Sequence, residues 1–391
     1  MIENYIIKRN FYFSLFEKNS IPPIYKSVAF HAKTIYKNKE QVTKKQESKL
    51  HSYTYVPDYL SVNTSENLKT EKVFQKAGFA AHLDGCESVE HYLNANCKTN
   101  FRGNVRRPLK RLETCLNIEY KMFYGAIDTE TYAFLMDRFY QMLKRRFEQR
   151  NDKNIVLQQW DFYLKNSLKS IIQKKACLFV IYHNDKPIAF SLNFIFNKVF
   201  YFAIPTFDLD YAKFTLGNTV IYKNLEWCIE NKFSLFDMGY GGFENKLNWC
   251  NTRYNFEHHV IYSTKTGIGK RYAFLLKHKY NLINYLLAKG VNTALHDFKN
   301  KIKNSKKTSP NSTYTITKVN HANELDSNTL IEIDVNTEAY GYLRKPVYDF
   351  LYLNTERFNE VKVYHVKTDN THFLIKGKKS QALITNSHLV E

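Results

Sequence analysis

The sequence predicts an α/β (α+β) fold in which antiparallel hairpins feed one helical crossover, and three observations predict it. First, Ala176–His183, Ile188–Phe196 and Val199–Ile204 are β-rich runs separated by Asn184-Asp-Lys-Pro187 and Asn197-Lys198. Turn-type links of that length join antiparallel hairpins. Second, a helix is expected from about Asn218 to Asn231, with Ile221, Leu225 and Cys228 spaced i, i+4, i+7 on one face. Third, the apolar run Ser234–Met238 ends on Gly239, Gly241 and Gly242, three of only 13 glycines in the chain. That concentration marks a strand ending in a loop that exposes its backbone. The order is β-β-β-α-β, with a further strand near Phe256 to Ser263.

Taken in order, the segment to about Gly85 mixes short aromatic runs with polar stretches. Phe11–Phe16 fits either a strand or a helix, and Ile21-Pro-Pro-Ile24 is a break. Ser88–Leu93 reads as a short helix. A basic cluster follows at Arg102, Arg106, Arg107, Lys110 and Arg111. Proline is tolerated in a helix's first turn, so a helix is expected to begin near Pro108, with Arg102 to Arg107 on its approach. The cluster then serves either an anion or a solvated face. Thr129 to about Gln149 is a long helix, with Tyr132, Leu135, Met136, Phe139, Met142, Leu143 and Phe147 as a core stripe.

Arg271 to about Lys303 is a basic helical region whose apolar side is expected to pack on a neighbouring domain, with membrane-surface contact as the alternative. Asn304–Ser312 has linker composition. Beyond it, Tyr314–Val319, Leu330–Val335, Val361–Val366 and Phe373–Lys376 are strand-like, and Val347–Leu353 is helical. Three units are therefore expected: 1–94, 95–303 and a small α/β module at 313–391.

Composition narrows the function classes. A chain of 391 residues with 44% hydrophobic content is long enough for packed domains. A net charge of +20 suits a polyanion, but the Lys-, Asn- and Ile-rich, Gly- and Pro-poor composition spreads lysine over solvated faces, so nucleic acid is not inferred from charge. Six dispersed cysteines, without CxxC or paired Cys/His spacing, point to a reducing compartment and away from a disulfide frame or a metal. Charged residues near Met1 and the lack of an apolar run of ~18 residues give an expectation of a cytoplasmic chain with no membrane span. The dinucleotide fingerprint lacks its third glycine after Gly239-Tyr-Gly241-Gly242, a P-loop would need glycine where Asn245 precedes Lys246, and neither HExxH nor a nucleophile elbow occurs. Oligomeric state is not set by these features.

The helix after Gly217, with Lys213 close by, is suited to an anion, because unpaired donors and the dipole meet at a helix start. At this point Phe207-Asp-Leu-Asp-Tyr211, Lys213-Phe-Thr-Leu-Gly217, Phe236-Asp-Met-Gly-Tyr-Gly241 and Asn245-Lys246 resemble the GNAT-superfamily acyltransferases of the CelD and FemAB-like type. The Arg102 to Arg111 cluster, followed by Leu112-Glu113, is similar to that family's arginine-rich helix. The resemblance spans roughly residues 79–263. It departs at Thr215-Leu216, where the family has Ser-Pro, and at Asn245, where it has an aromatic.

The resemblance implies a GNAT-like twisted mixed sheet flanked by helices, with two tandem lobes of which the N-terminal one is degenerate. It implies acetyl-CoA or another acyl-CoA as donor, with the pyrophosphate at Lys213, Thr215, Gly217, Asn218 and Thr219 and the pantetheine along a splayed strand. Acyl transfer needs a base, an oxyanion donor and a proton for the thiolate. Asp237 is the candidate base or acceptor-orienting acid, Lys246 stabilises negative charge, and Tyr240 or Tyr211 gives the proton. Asp210, Gly239, Gly241, Arg102 and Arg106 are candidate substrate contacts. The expected acceptor is an amine or hydroxyl of a small metabolite or cell-envelope saccharide. Two alternatives stay open: an aminoacyl-tRNA-dependent FemAB-like transferase, and a non-catalytic basic binding protein on a transferase scaffold.

Overall fold

The structure is a computed structural model, described for residues 5–38, 43, 47–150, 154–241, 243–265, 267–289, 314–319, 329–367, 369 and 371–386. Its first strands are β1 (Ile6–Asn10), β2 (Ser27–Phe30), β3 (Lys33–Lys37), β4 (Leu50–Pro57), β5 (Leu60–Asn63) and β6 (Leu68–His82). The middle of the chain adds β7 (Ile118–Phe123), β8 (Ala176–His183), β9 (Lys186–Phe196), β10 (Val199–Phe207), β11 (Leu235–Asp237) and β12 (Thr252–Ser263). The C-terminal segment adds β13 (Tyr314–Lys318), β14 (Leu330–Ile333), β15 (Lys362–Val366), β16 (His372–Lys376) and β17 (Gln381–Asn386).

Nine strands form one mixed sheet in the order β1-β4-β12-β6-β11-β10-β9-β8-β7. β1 with β4 and β10 with β11 are the parallel pairs among them. The predicted hairpins form: Asn184 and Asn197 open two-residue turns at φ of 52° and 54°, a conformation asparagine adopts readily. Both faces of the sheet are covered, so β8 alternates between two cores: Ala176, Leu178 and Val180 enter one, Cys177, Phe179 and Ile181 the other. Helices Phe11–Phe16, Thr129–Arg150 and Trp160–Ile172 cover the first face. Helices Val89–Asn96, Thr99–Cys115 and Leu216–Glu230 cover the second. The expected α/β class, a large mixed sheet flanked by helices, is thus the observed one.

Three local expectations are corrected. The basic helix runs from Thr99 to Cys115 with Pro108 inside it, not at its start. A mid-helix proline costs ~3 kcal/mol, but here Val105, Pro108, Leu109, Leu112 and Cys115 bury together and offset it. The stretch after Gly242, expected as loop, contains a helix at Phe243–Trp249. The strand near Phe256 begins earlier, at Thr252, and inserts between β4 and β6, so a single sheet runs through residues assigned to the 1–94 and 95–303 units.

The Ile268–Ala288 helix seats Tyr272, Ala273 and Leu276 on Leu50, Val260 and Tyr262, and exposes Phe274, Leu275, Leu282 and Leu287. Its expected continuation to Lys303 and the linker Asn304–Ser312 lie outside the described residues. In the C-terminal segment a five-stranded antiparallel sheet, β13-β17-β16-β15-β14, carries the helix Arg344–Asn354. That helix buries Val347, Tyr348, Phe350 and Leu351 and packs on the Leu209–Phe214 turn and the Thr99–Cys115 helix. Among the described residues no helix is long and apolar enough to cross a membrane.

Candidate functional site

Side chains alternate along a strand, so on β11 Phe236 enters one core while Leu235 and Asp237 face the other. A carboxylate thus occupies a position where the pattern calls for an apolar side chain. Asp237 is 0% exposed. Its Oδ2 accepts from the hydroxyls of Tyr12 and Tyr59, and its Oδ1 from the Tyr254 hydroxyl and the Gly239 N–H, each at 2.7 Å. Four donors fill the four lone-pair positions of a carboxylate. Burial raises the Asp237 pKa, while the hydrogen bonds pull it back towards the charged form. The group therefore ties three separate segments to the end of β11: the first helix, the β4–β5 turn and β12.

Past Asp237 the chain makes a left-handed turn at Gly239 (φ 65°) and Gly241 (φ 77°). Lys246, from the Phe243–Trp249 helix, donates its ammonium to Met238 O at 2.6 Å and Tyr240 O at 2.7 Å, which closes that turn. Burial lowers the Lys246 pKa and Asp237 partly restores it. Tyr240 is 41% exposed, and its ring stacks on Tyr55 at 4.9 Å with the Lys76 ammonium 4.3 Å above it. Tyr55 itself sits at φ 58°, beside a register shift in β4. Such backbone is costly for an aromatic residue and concentrates at functional sites.

The parallel pair at the centre parts at this place. β10 pairs with β11 only over Val199–Tyr201, yet continues to Phe207 on its β9 side. The chain leaving β11 instead follows β6, through Met238 N to Phe79 O at 2.9 Å and Phe79 N to Gly239 O at 3.0 Å. A gap opens between β10 and this segment. The Leu216–Glu230 helix starts at the far end of β10, where a Cβ on Gly217 would stand 3.1 Å from Phe207 Cε1. Thr215 precedes that helix at φ 50°, and its Oγ1 is buried without a partner among the described residues. An orphan hydroxyl, a close-approach glycine and a helix start together fit an anion. Asn218 and Thr219 lie in the same first turn, their N–H groups on Thr215 O at 2.9 and 3.4 Å, and Lys213 is exposed beside it.

Cations from the Thr129–Arg150 helix reach the same place, which its apolar stripe did not suggest. Arg145 bridges Asp208 (3.1 Å) and Asp210 (2.7 Å). Lys186 and Arg344 add charge at 3.6 Å from Asp208 and 3.4 Å from Asp210. Arg146 lies 4.3 Å over the Phe207 ring, and burial pushes its pKa down to about 10.

The structure gathers Asp237, Gly239, Tyr240, Gly241 and Lys246 at the closed end of the gap, and Asp210, Lys213, Thr215, Gly217, Asn218 and Thr219 at the helix start. Tyr211 joins neither group as a free proton donor. Its hydroxyl is held by His183 Nδ1 (2.8 Å) and Tyr348 (3.1 Å), and its ring stacks on Tyr348 at 4.3 Å, under the C-terminal helix. Arg102 donates to Cys97 O at 2.7 Å, and Arg106 to Glu90 and Asn94, so both fasten their helix to the preceding one. Tyr12, Tyr59 and Tyr254 are the residues sequence reasoning missed, since 225, 178 and 17 positions separate them from Asp237. Among the described residues one group has metal-ligand spacing, His31, His82 and Asp84, with ligand atoms within 4.8 Å. It is a surface imidazole–carboxylate pair with a second imidazole stacked at 5.5 Å.

Residues 99–247 match the family profile described as "Acetyltransferase (GNAT) domain", a span that includes the parted strands and the helix start. Among solved structures, a conserved protein of unknown function from Bacteroides thetaiotaomicron VPI-5482 is 11% identical, with a TM-score of 0.40 over 55% of this chain and 70% of that one. L-PGS from Bacillus licheniformis is 10% identical, with a TM-score of 0.36 over 60% and 74%. FemX is 12% identical, with a TM-score of 0.36 over 53% and 71%. No curated protein matches the chain.

Proposed function

We propose that the chain is an acyltransferase that moves an acetyl or other acyl group from acyl-CoA to an amine or hydroxyl of a small metabolite or cell-envelope saccharide. The observation that carries this reading is the parting of β10 from β11 beside the start of the Leu216–Glu230 helix. An unpaired strand edge offers backbone groups to an amide-bearing arm, and the helix start offers donors to a diphosphate. Lys213, the Thr215 hydroxyl and the Gly217 N–H would hold that diphosphate, with the Asn218 and Thr219 side chains in the same turn and Arg146 close behind Phe207. The acyl donor would bring the activated thioester. The chain's own groups would then orient the acceptor, screen the developing negative charge and supply a proton.

In this reading Asp237 is the acceptor-orienting acid, acting through the three tyrosines and the Gly239 turn that it fixes. Lys246 holds the turn and contributes positive charge beside it. Tyr240, the exposed phenol on that turn, is the proton donor. Isothermal titration of the full chain with CoA and acetyl-CoA tests the reading. Binding with a Kd in the range of ~1 µM to 1 mM is expected, as for substrates of ordinary enzymes. No heat with either ligand overturns it. The runner-up reading is transfer from a charged tRNA, a polyanion that the net charge of +20 would suit but does not by itself point to. Turnover of aminoacyl-tRNA without CoA binding would establish that reading in its place. A non-catalytic binding protein would keep full function in a Tyr240→Phe variant, which removes the proposed proton donor and leaves the buried Asp237 network intact.

A further inference from the structure

The Ile268–Ala288 helix is fixed on the sheet by one side and leaves the other unused. Gly269 sits so close to Tyr262 that a Cβ there would meet the ring's Cγ at 2.0 Å. Tyr272, Ala273 and Leu276 continue the same contact. The Tyr272 hydroxyl lies 3.4 Å from Ser52 Oγ, and the Tyr280 hydroxyl 3.3 Å from His258 Nδ1. Positions 269, 272, 273, 276 and 280 recur at helical spacing and form one inward stripe. That stripe decides which side chains point away from the sheet.

A side facing only water would be polar, and this one is not. Ile268, Phe274, Leu275, Leu282 and Tyr285 are 58% to 65% exposed. Ile268, Leu275 and Leu282 stand two turns apart in one row, which Leu286 extends. Exposed cations flank the row: Lys279 on one side, Arg271 and His278 on the other, with Lys270 and Lys277 further round. No acidic residue occurs between Glu257 and Asp297, and Lys299, Lys301, Lys303, Lys306 and Lys307 follow soon after in the sequence.

The absence of acids selects the partner. A second copy of the chain would set two acid-free helices against each other, and like charges brought together oppose association. A protein partner would need a groove shaped to a convex ridge ~31 Å long. A bilayer with anionic headgroups needs no such shape: apolar side chains enter the acyl boundary while the flanking cations meet the headgroups. Arg271 can keep its guanidinium at that level with its stem along apolar neighbours. We infer that the outward side of the Ile268–Ala288 helix binds an anionic membrane surface, lying in the headgroup plane without crossing it. This contact gives part of the +20 net charge a defined counterpart, and it holds whether or not the chain binds acyl-CoA.

Co-sedimentation of the full chain with phospholipid vesicles tests this. Phosphatidylcholine vesicles containing about one-third phosphatidylglycerol are expected to bind it, and pure phosphatidylcholine vesicles to bind at least ~tenfold more weakly. Leu275→Ser with Leu282→Ser changes two exposed side chains, so circular dichroism and the thermal midpoint should stay as in wild type. Affinity for the anionic vesicles should nevertheless fall at least ~tenfold. Lys277→Glu with Lys279→Glu should weaken binding by ~tenfold or more and flatten its salt dependence. No binding of wild type to the anionic vesicles overturns membrane contact. So does binding that the serine variant keeps, because charge alone would then account for it. Sedimentation velocity without vesicles covers the second copy: a monomer is expected, and a dimer that the serine variant dissociates would assign this side to self-association instead.

Discussion

Removing the Asp237 carboxylate would leave three phenol hydroxyls and the Gly239 N–H without an acceptor in a place closed to water. Buried donors stripped of their acceptor lose far more than a solvated hydrogen bond would. Asp237→Ala is therefore expected to lower stability by ~3–5 kcal/mol, a cost comparable to breaking a buried charged network, as read from the urea midpoint. Glu17 works in the opposite direction. Its native-state pKa, about 7, lies above the ordinary value of 4.5, so the folded chain binds the proton more tightly than the unfolded one. Its unfavourable contribution is absent below about pH 4.5, grows as pH climbs towards 7 and is complete above that. Glu17→Gln, which resembles the protonated form, should be more stable than wild type by on the order of 1–3 kcal/mol at about pH 8 and equal to it at about pH 4. Equal stability at both pH values would contradict the raised pKa of this carboxylate. Asp237 and Lys246 were legible in the sequence because glycines flank them. Glu17 was not, since a lone acid after Phe11–Phe16 has no local signal and its raised pKa comes from burial beside Tyr163, 146 positions away.

At the scale of elements, legibility followed local physics. Hairpins β8–β9 and β9–β10 could be read because each turn is two residues long and opens on asparagine. The Leu216–Glu230 helix could be read because its apolar spacing is regular. β4 and β6 could not, because their partner β12 lies nearly two hundred residues away and their pairing leaves no trace in either segment. Pro108 misled for a related reason: local propensity places it at a helix start, and tertiary burial of its neighbours overrides that preference. The long strand β6 carries a further test. A Cβ on Gly78 would stand 2.3 Å from Tyr254 Cζ, so the strand needs glycine where Tyr254 crosses it to reach Asp237. Gly78→Ala should push Tyr254 off the carboxylate and cost ~2–4 kcal/mol, the sum of overpacking and a lost charged hydrogen bond. Thermal denaturation checks it, and an unchanged midpoint would show that Tyr254 can move without loss.

For the whole molecule, one sheet serves two purposes. Its half built from β1, β4, β12 and β6 supplies tyrosines and the Glu17 helix, while the half from β10 to β7 supplies the helix start and its cations. The gap between them exists because β11 is only three residues long and its continuation stays with β6. The C-terminal segment packs on the Leu209–Phe214 turn through Tyr348 and Arg344, and so fixes the loop that leads into the helix start. The resemblance to GNAT-type enzymes pointed to that loop, but not to the module that holds it. Hydrogen–deuterium exchange of the full chain with and without CoA tests the central claim most directly. Protection is expected at Ala203–Phe207 of β10 and at Leu216–Thr219, the strand edge and the helix start. Protection confined to the basic Ile268–Ala288 helix, or none at all, would contradict it.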